Sequence, residues 1–360
     1  MTLIPLVGHT TIRADLLGSL QRRTLPQSLL LHGPAGIGKQ RLALWLAQSL
    51  VCEALGPDGP CGKCRHCRMT LHLTHPDIHW VFPLPRPKGS DYKPNDAKTD
   101  YVEARIERAE AGGVYPPPSG SDGIYIATTR MLLLAASVTP ALAKRKVIII
   151  GDAERMVSQE GSDQAANAFL KLLEEPPNDT CIVLTSSAPG SLLPTIRSRV
   201  APVRVNPLTA AEVRTVLAEE AFAKALSKQR LTFDEDAAVE RAAGAPGVLL
   251  SPENDAAIWS RAAAVVDAAL SPDSSTRYGV ALAQGSWGAR GGFSDLLDAV
   301  TLQLHHRVRE ATLKGDGEMA GRFARAVELV EAAKETTETN VNPSLVTADL
   351  LDRLAHSLRP

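Results

Sequence analysis

A glycine-rich turn that ends in a lysine is the first part of this sequence whose residue types could do chemistry. In chain order it consists of an apolar run, three glycines, the lysine and an amphipathic run: Leu29–Leu31, Gly33, Gly36, Gly38, Lys39 and Arg41–Val51. This order predicts a strand, a loop and a helix, with backbone N–H groups, the helix N-terminus and the lysine arranged around a phosphate. Gln40 stands where such loops carry the Ser or Thr whose hydroxyl ligates Mg²⁺. We expect a degenerate phosphate site, and a glycine-rich turn without a ligand is the alternative.

A carboxylate after a β-branched run is the second candidate. Residues Val147–Ile150 predict a buried parallel strand, and Asp152 follows at its C-terminal end, where nucleotide-binding folds hold a carboxylate linked to magnesium. Ala153 stands where catalytic versions have a glutamate that polarises the attacking water. Strand alternation would place Glu154 on the opposite side of the chain. A turn-capping role for Asp152 is the alternative.

Four of the five cysteines fall within sixteen residues: Cys52, Cys61, Cys64 and Cys67. Two overlapping C-x-x-C turns can direct their sulfurs at one ion, and the cysteine at the end of the preceding helix can supply the fourth ligand. We therefore predict a structural, tetrahedral zinc site. An iron–sulfur cluster and unliganded thiols are the alternatives, although the fourth cysteine and proline of a cluster motif are missing after Cys67. Three nearby histidines could substitute for a cysteine, but surface or packing roles are expected for them: His66, His72 and His75.

Two arginines flank a serine at the end of a short predicted helix, in Arg197-Ser198-Arg199. A guanidinium group is a planar fork of donors that matches phosphate oxygens, so this turn could present an arginine to a phosphate. A solvated surface turn is the alternative.

Composition and charge limit the function. With 360 residues the chain is long enough for about two or three domains. The 39 Lys and Arg residues nearly balance the 40 Asp and Glu residues, so no overall charge favours DNA or an anionic membrane. The sequence has neither a signal-peptide pattern at Met1–Gly8 nor an uninterrupted apolar span, which predicts a soluble, cytoplasmic protein.

The elements that must position these residues change in character along the chain. Strand and helix patterns alternate up to about residue 206. Within this part, residues 83–123 are rich in Pro, Gly, Asp and Lys, which predicts an exposed insertion with one short charged helix. A capping box at Thr209–Glu212 opens a helical segment over 207–250. Residues 251–360 carry helical periodicity without a chemical signature, as is typical of packing or oligomerisation domains.

Together these features resemble the delta-prime subunits of bacterial DNA polymerase III clamp loaders, a branch of the AAA+ family, over most of the chain. Besides the glycine loop and the cysteines, the resemblance is carried by three runs: His75–Asp77, Ala166–Pro177 and Thr195–Arg199. It implies an α/β, AAA+ (RecA-like) parallel-sheet nucleotide domain over residues 1–206 with an inserted zinc module at 52–67. A small helical lid over 207–250 and an α-helical collar over 251–360 would follow.

The resemblance also implies a function. Family members join a hetero-pentameric arc with ATPase subunits and delta through the collar, and the assembly loads the sliding clamp onto primed DNA. Arg199 matches the arginine that acts in trans on a neighbouring subunit's ATP, although the usual Ser-Arg-Cys is Ser-Arg-Val here. Gln40 and Ala153 predict negligible ATP hydrolysis by the isolated chain, and they weaken the expectation that it binds ATP.

Two other classes of function remain open. The chain could be an ATPase in its own right, but the metal hydroxyl and the water-polarising acid are both absent. It could be a zinc-ribbon protein that binds nucleic acid, but its charge is near neutral and few aromatic residues lie near the cysteines.

Overall fold

The computed structural model describes residues 2–87, 92–118, 122–156, 164–228, 235–251, 256–283, 290–337 and 342–358. Parts of the expected insertion and lid, at 88–91, 119–121 and 229–234, lie outside the described residues. The chain divides into two compact units, one ending at Leu250 and the other beginning at Ser251. Residues 207–228 and 235–250 belong to the first unit, and their assignment as a separate lid stays a prediction.

A parallel five-stranded sheet forms the centre of the first unit. Its strands are β1 Ser28–His32, β2 Ile78–Val81, β3 Lys146–Ile150, β4 Thr180–Ser186 and β5 Ala201–Arg204. They are arranged in the order β2-β3-β4-β1-β5, and every neighbouring pair is parallel. The inner strands β3 and β4 are buried along their whole length, as expected for β-branched runs covered on both faces. The sequence prediction of a parallel-sheet α/β unit is therefore confirmed.

The register of the sheet brings three loops together at one edge. Ile150 pairs with Leu184, and Ser186 pairs with His32. Because all strands run in the same direction, the glycine loop after β1, Asp152 after β3 and Ser187 after β4 leave the sheet at this carboxyl edge. Ligands bind at this edge in open α/β sheets.

Ten α-helices are described in the first unit: α1 Thr10–Gln21, α2 Lys39–Val51, α3 Arg65–Leu71, α4 Pro94–Glu110, α5 Ile126–Ala136, α6 Gln164–Glu174, α7 Pro194–Arg197, α8 Ala210–Leu217, α9 Glu220–Lys228 and α10 Glu235–Ala242. Helix α2 is buried on nearly all sides, which explains why its polar residues need partners inside the protein. The predicted capping box is present at the start of α8, where Thr209 and Glu212 bond each other's backbone N–H groups.

The second unit is helical, as predicted. Its described helices are α11 Ala256–Leu270, α12 Ser274–Leu282, α13 Arg290–Leu313, α14 Gly317–Thr337 and α15 Pro343–Leu358. They share one apolar core, which includes Val266, Leu304, Val330 and Leu351. Glycine and polar residues interrupt the apolar pattern of α12, so periodicity indicates this helix less clearly than its neighbours. Across the described residues, no helix combines the length and the apolar character needed to cross a membrane.

The expectation that residues 83–123 form an exposed insertion is wrong for one face of this segment. Helix α4 has seventeen residues, and it buries Ala97 and Tyr101. The chain that follows buries Val114 and half-buries Tyr115. The composition of the segment indicated exposure, but its few aromatic residues pack against the edge of the sheet.

Candidate functional site

The glycine loop joins the end of β1 to the start of α2, as predicted. Gly36 and Gly38 have φ angles of 75° and 90°, in the left-handed region that favours glycine. A Cβ on Gly36 would lie 2.6 Å from the backbone nitrogen of Val248. The path of the loop therefore depends on glycine, both for its backbone angles and for the close approach of residue 248.

Lys39, the first residue of α2, is only 5% exposed. Its Nζ donates hydrogen bonds to the carbonyl oxygens of Gly33 at 2.9 Å and Pro34 at 2.7 Å, and to Oγ of Ser187 at 3.0 Å. Three acceptors use all three donors of an ammonium group. Burial lowers the pKa of Lys39, and the negative charges of Asp152 and Glu154 oppose that shift. A phosphate would have to displace one of these acceptors to contact the lysine.

Gln40 makes two hydrogen bonds in the interior. Its Nε2 donates to Oδ2 of Asp152 at 2.9 Å, and its Oε1 accepts from the indole Nε1 of Trp80 at 3.0 Å. These partners fix the orientation of the amide, because a carboxylate can only accept and an indole N–H can only donate. An uncharged amide thus lies on the carboxylate that a magnesium ion would need, so the residues present do not fit Mg²⁺.

Asp152 follows β3 directly after Gly151 and has a positive φ of 48°. Its backbone N–H donates to Oγ1 of Thr185 at 3.1 Å. Burial raises the pKa of Asp152, and the charge of Glu154 adds to the shift. This carboxylate is therefore at the predicted place beside the glycine loop, but it is engaged with Gln40.

The expected position of Glu154 is wrong. A 3₁₀ turn over Ala153–Arg155 replaces the alternation of a strand and brings Glu154 back to the carboxyl edge. Its Oε1 accepts from the backbone N–H of Ser187 at 2.8 Å. Its Oε2 is buried and has no hydrogen-bond partner among the described residues. Ala153, by contrast, is 1% exposed in the core, where it can polarise no water.

A cavity of about 330 Å³ lies over the glycine loop. Its lining includes the polar residues Lys39, Asp152, Glu154 and Ser187. It also includes apolar residues: Leu208, Val216, Phe222 and Leu250. The glycine loop is also tied to the turn at residue 247, because the N–H of Gly247 donates to the carbonyl oxygen of Gly36 at 2.9 Å. The cavity offers both the apolar and the polar groups that a nucleotide would need, but two carboxylates are among the polar ones.

The segment 83–123 supplies residues beside this cavity that the sequence analysis missed. The guanidinium of Arg108, on α4, stacks on three aromatic rings, at 3.1 Å from the centroid of Phe82, 3.5 Å from Tyr115 and 4.9 Å from Trp80. Burial lowers the pKa of Arg108 to about 10. Tyr101 donates from its hydroxyl to the carbonyl oxygen of Phe82 at 2.6 Å. A signal was present, since Ala97, Tyr101 and Arg108 fall on one side of a helix.

The structure brings the four predicted cysteines together. Their sulfur atoms all lie within 4.8 Å of one another, with 3.9 Å between Cys61 and Cys67. Backbone N–H groups of Cys61, Cys64 and Cys67 donate to the sulfurs of Cys52, Cys61 and Cys64 at 3.3–3.4 Å. N–H donation stabilises thiolates, and it lowers the pKa of Cys61 to about 6. The cluster could hold a metal ion with four sulfur ligands.

None of the three nearby histidines joins the sulfur cluster: His66 and His75 pack in the interior, and His72 is exposed. His66 and His75 are buried, with 2.7 Å between Nδ1 of His66 and Nε2 of His75. His66 also lies 3.3 Å from a carboxylate oxygen of Glu53. The carboxylate of Asp77 accepts from the N–H groups of Ala141, Leu142 and Ala143. The His75–Asp77 run therefore ties the cysteine region to the loop before β3.

Arg199 lies at the end of α7 and does not line the cavity. Its Nη1 donates to the carbonyl oxygen of Thr195 at 2.9 Å, and its Nη2 forms an ion pair with Glu174 at 2.7 Å. The side chain is one-third exposed. The structure thus places Lys39, Asp152 and the glycines in one site, the cysteines in a second and Arg199 at a separate surface position.

Comparisons with known proteins identify a matching family and several relatives. Residues 8–209 match the protein family described as "DNA polymerase III, delta subunit". The chain is 35% identical over 170 residues to DNA polymerase III subunit delta' of Pseudomonas aeruginosa, covering 47% of this chain and 40% of the relative. It is 28% identical over 239 residues to the subunit of the same name from Escherichia coli, covering 66% and 57%.

A relative with a different name also matches. The chain is 32% identical over 194 residues to DNA polymerase III subunit gamma/tau of Mycobacterium tuberculosis, covering 54% of this chain and 26% of the relative. The chain spans about half the length of the curated delta' relatives and less of this one. Because the family match covers more than half of its residues, the chain belongs to the DNA polymerase III, delta subunit family.

Proposed function

We propose that this chain is a delta-prime-type AAA+ subunit of a DNA polymerase III clamp loader that does not hydrolyse ATP itself. In the cytoplasm, it would join ATPase subunits and delta in a hetero-pentameric arc that loads the sliding clamp onto primed DNA. The observation that carries this proposal is the hydrogen bond from Gln40 to Asp152. This hydrogen bond blocks the position where a metal ion would bind beside the glycine loop. The relatives of the chain are named as polymerase III subunits.

The absence of hydrolysis follows from charge. Transfer of a phosphoryl group needs a metal ion and cationic groups to neutralise the charge that develops on it. The amide of Gln40 is neutral, Lys39 is bonded to three acceptors, and Glu154 brings a second carboxylate to the cavity. A triphosphate without its metal would meet like charges there.

A structural zinc ion fits the cysteine cluster. Zinc–sulfur bonds of about 2.3 Å in a tetrahedron separate the sulfurs by about 3.8 Å, close to the 3.9 Å between Cys61 and Cys67. Four protein ligands leave no position for a substrate, so the ion would be structural. It would join the end of α2, at Cys52, to the start of α3, at Cys64.

The chemical contribution of the chain would be Arg199, acting on ATP bound by a neighbouring subunit. The contacts with Thr195 and Glu174 hold the guanidinium at a partly exposed position. An arginine supplied in trans neutralises charge on the transferred phosphoryl group, and a planar fork does so better than the point charge of a lysine.

The test is a reconstituted assembly with its partner subunits and clamp. We expect Arg199→Ala to keep subunit association and to lower DNA- and clamp-stimulated ATP hydrolysis several-fold, with poor rescue by Arg199→Lys. Arg197→Ala is the matched control, because Arg197 is also exposed and lies two residues earlier, at the end of α7. Wild-type hydrolysis and clamp loading by the Arg199→Ala assembly would refute the role in trans.

A further inference from the structure

Helices α4 and α5 leave large apolar side chains exposed along the two sides of one groove. On α4 these are Val102, 41% exposed, and Ile106, 52% exposed. On the other side are Leu134 of α5, 62% exposed, and Val138 just beyond its end, 61% exposed. Val102 and Ile106 are four residues apart and lie on the same side of α4, and all four side chains line one groove. Four of the nine exposed large apolar residues in the described part of the chain are gathered here.

The space between these four side chains, which we call the α4–α5 groove, has a volume of about 830 Å³. Tyr101, Met131 and Val81 contribute to its lining. Scattered apolar residues on a surface need no explanation, but a contiguous apolar groove marks a binding site. An amphipathic helix is a ligand of the chemistry that such a groove binds, because it lays its apolar face into an apolar groove.

The charges at the groove are mainly positive. Lys98 and Arg105 line it from α4, and neither has an ion-pair partner among the described residues. Nε of Arg105 donates to the carbonyl oxygen of Tyr101, which fixes the guanidinium near the groove. The cations Lys146, Arg105 and Lys98 add to burial in lowering the pKa of His79, another lining residue, to about 4. Glu110, at the end of α4, is the one acidic residue in the described lining.

We propose that the α4–α5 groove docks an amphipathic helix of a protein partner that carries acidic side chains beside its apolar row. The apolar row would lie between Val102 and Ile106 on one side and Leu134 and Val138 on the other. Carboxylates on the flank would pair with Lys98 and Arg105. This docking site is separate from the glycine loop and from Arg199, so it does not depend on the function proposed above.

The test uses the full-length chain and two synthetic helical peptides with the same leucine row, one flanked by glutamates and the other by lysines. We expect the glutamate peptide to bind about tenfold more tightly than the lysine peptide, because its carboxylates attract Lys98 and Arg105, whereas lysines would be repelled by them. Binding is measured by fluorescence anisotropy, and chemical shifts of the groove methyl groups locate it.

Variants separate the contribution of the apolar contacts from that of the charge pairs. The double variant Ile106→Ser with Leu134→Ser should weaken binding of the glutamate peptide at least about tenfold, because two apolar anchors are lost. Lys98→Glu should remove most of the preference for the glutamate peptide. Leu313→Ser, at an apolar residue that is 79% exposed in the second unit, is the control and should bind normally. All of these positions are exposed, and thermal unfolding checks that each variant is folded.

Three outcomes would overturn the proposal. They are equal binding of the two peptides, no binding of the glutamate peptide at millimolar concentration, and binding that the double variant leaves unchanged. Concentration-dependent dimerisation that the double variant abolishes would show that a second copy of the chain covers the groove instead.

Discussion

Gln40 ties the glycine-loop site of this chain into its hydrogen-bonded interior. The amide bonds Asp152 on one side and Trp80 on the other; Gln40 and Trp80 are buried, and Asp152 is half-buried. Buried polar groups without partners are costly, so such a triad stabilises the fold as a set. We expect Gln40 to contribute to stability rather than to turnover.

The variant Gln40→Ala tests this contribution. It should lower the free energy of unfolding by about 1–3 kcal/mol, because the Trp80 N–H and the Asp152 carboxylate lose a buried partner. Urea unfolding followed by tryptophan fluorescence measures the change. Gln21→Ala, at an exposed position at the end of α1, is the matched control and should stay within about 0.5 kcal/mol of wild type. Equal stability of the two variants would contradict a structural role for Gln40.

Only part of this residue-level arrangement could be predicted from the sequence. The missing hydroxyl at position 40 is visible in the residue type, and it led to the expectation of an incomplete site. Its partner Trp80 lies forty residues later on a strand that is not adjacent to β1, so their contact depends on the strand order. Glu154 was misplaced because strand alternation ends at Asp152, whose positive φ starts a 3₁₀ turn.

Helix α4 lies in the segment 83–123, which was expected to be exposed, and it connects this segment to the candidate site. Its Arg108 is surrounded by the rings of Phe82, Tyr115 and Trp80, and Nη1 is buried without a hydrogen-bond partner in the described structure. Desolvated cation–π contacts contribute about 2 kcal/mol or more. The composition of 83–123 could not reveal this packing, because one aromatic face is enough to bury a helix that is otherwise polar.

Arg108→Ala should therefore destabilise the first unit by about 2–4 kcal/mol and should increase amide hydrogen exchange along α4. Mass spectrometry of the exchanged peptides locates the effect. Glu107→Ala provides the comparison, since residue 107 is exposed on the same helix and should leave exchange unchanged. If both variants exchange like wild type, Arg108 does not hold α4 on the sheet.

The cysteine cluster that links α2 to α3 can be tested through its metal content. We predict one zinc ion per chain in the native protein, and we expect that removing the ion lowers the melting temperature, because metal binding and local folding are coupled. Cys67→Ser should lose the zinc, whereas His66→Gln should keep it, since His66 bonds His75 instead of joining the sulfur cluster. Elemental analysis measures the zinc content of the native protein and of both variants. Iron in place of zinc, or full zinc content in Cys67→Ser, would refute the assignment.

Considered as a whole, the molecule combines a parallel-sheet unit that has kept the shape of a nucleotide site with a helical unit that has no chemical signature. The strands β1 and β3 and the helical character of residues 251–360 were predictable, because β-branched runs and apolar periodicity indicate them. The hydrogen bonds that close the site could not be predicted, because they join side chains from β2, α2 and the turn after β3. These side chains meet only in the folded chain. We infer that the chain has a structural role in an assembly, to which it supplies Arg199. Its own glycine loop is structural.

ATP hydrolysis by the purified chain in the presence of Mg²⁺ tests this inference most directly, with wild type and Lys39→Ala measured side by side. We predict that the turnover of the wild-type chain does not exceed that of Lys39→Ala, because Gln40 occupies the metal position and Ala153 cannot polarise water. Substantial turnover by the wild-type chain that Lys39→Ala abolishes would contradict the inference.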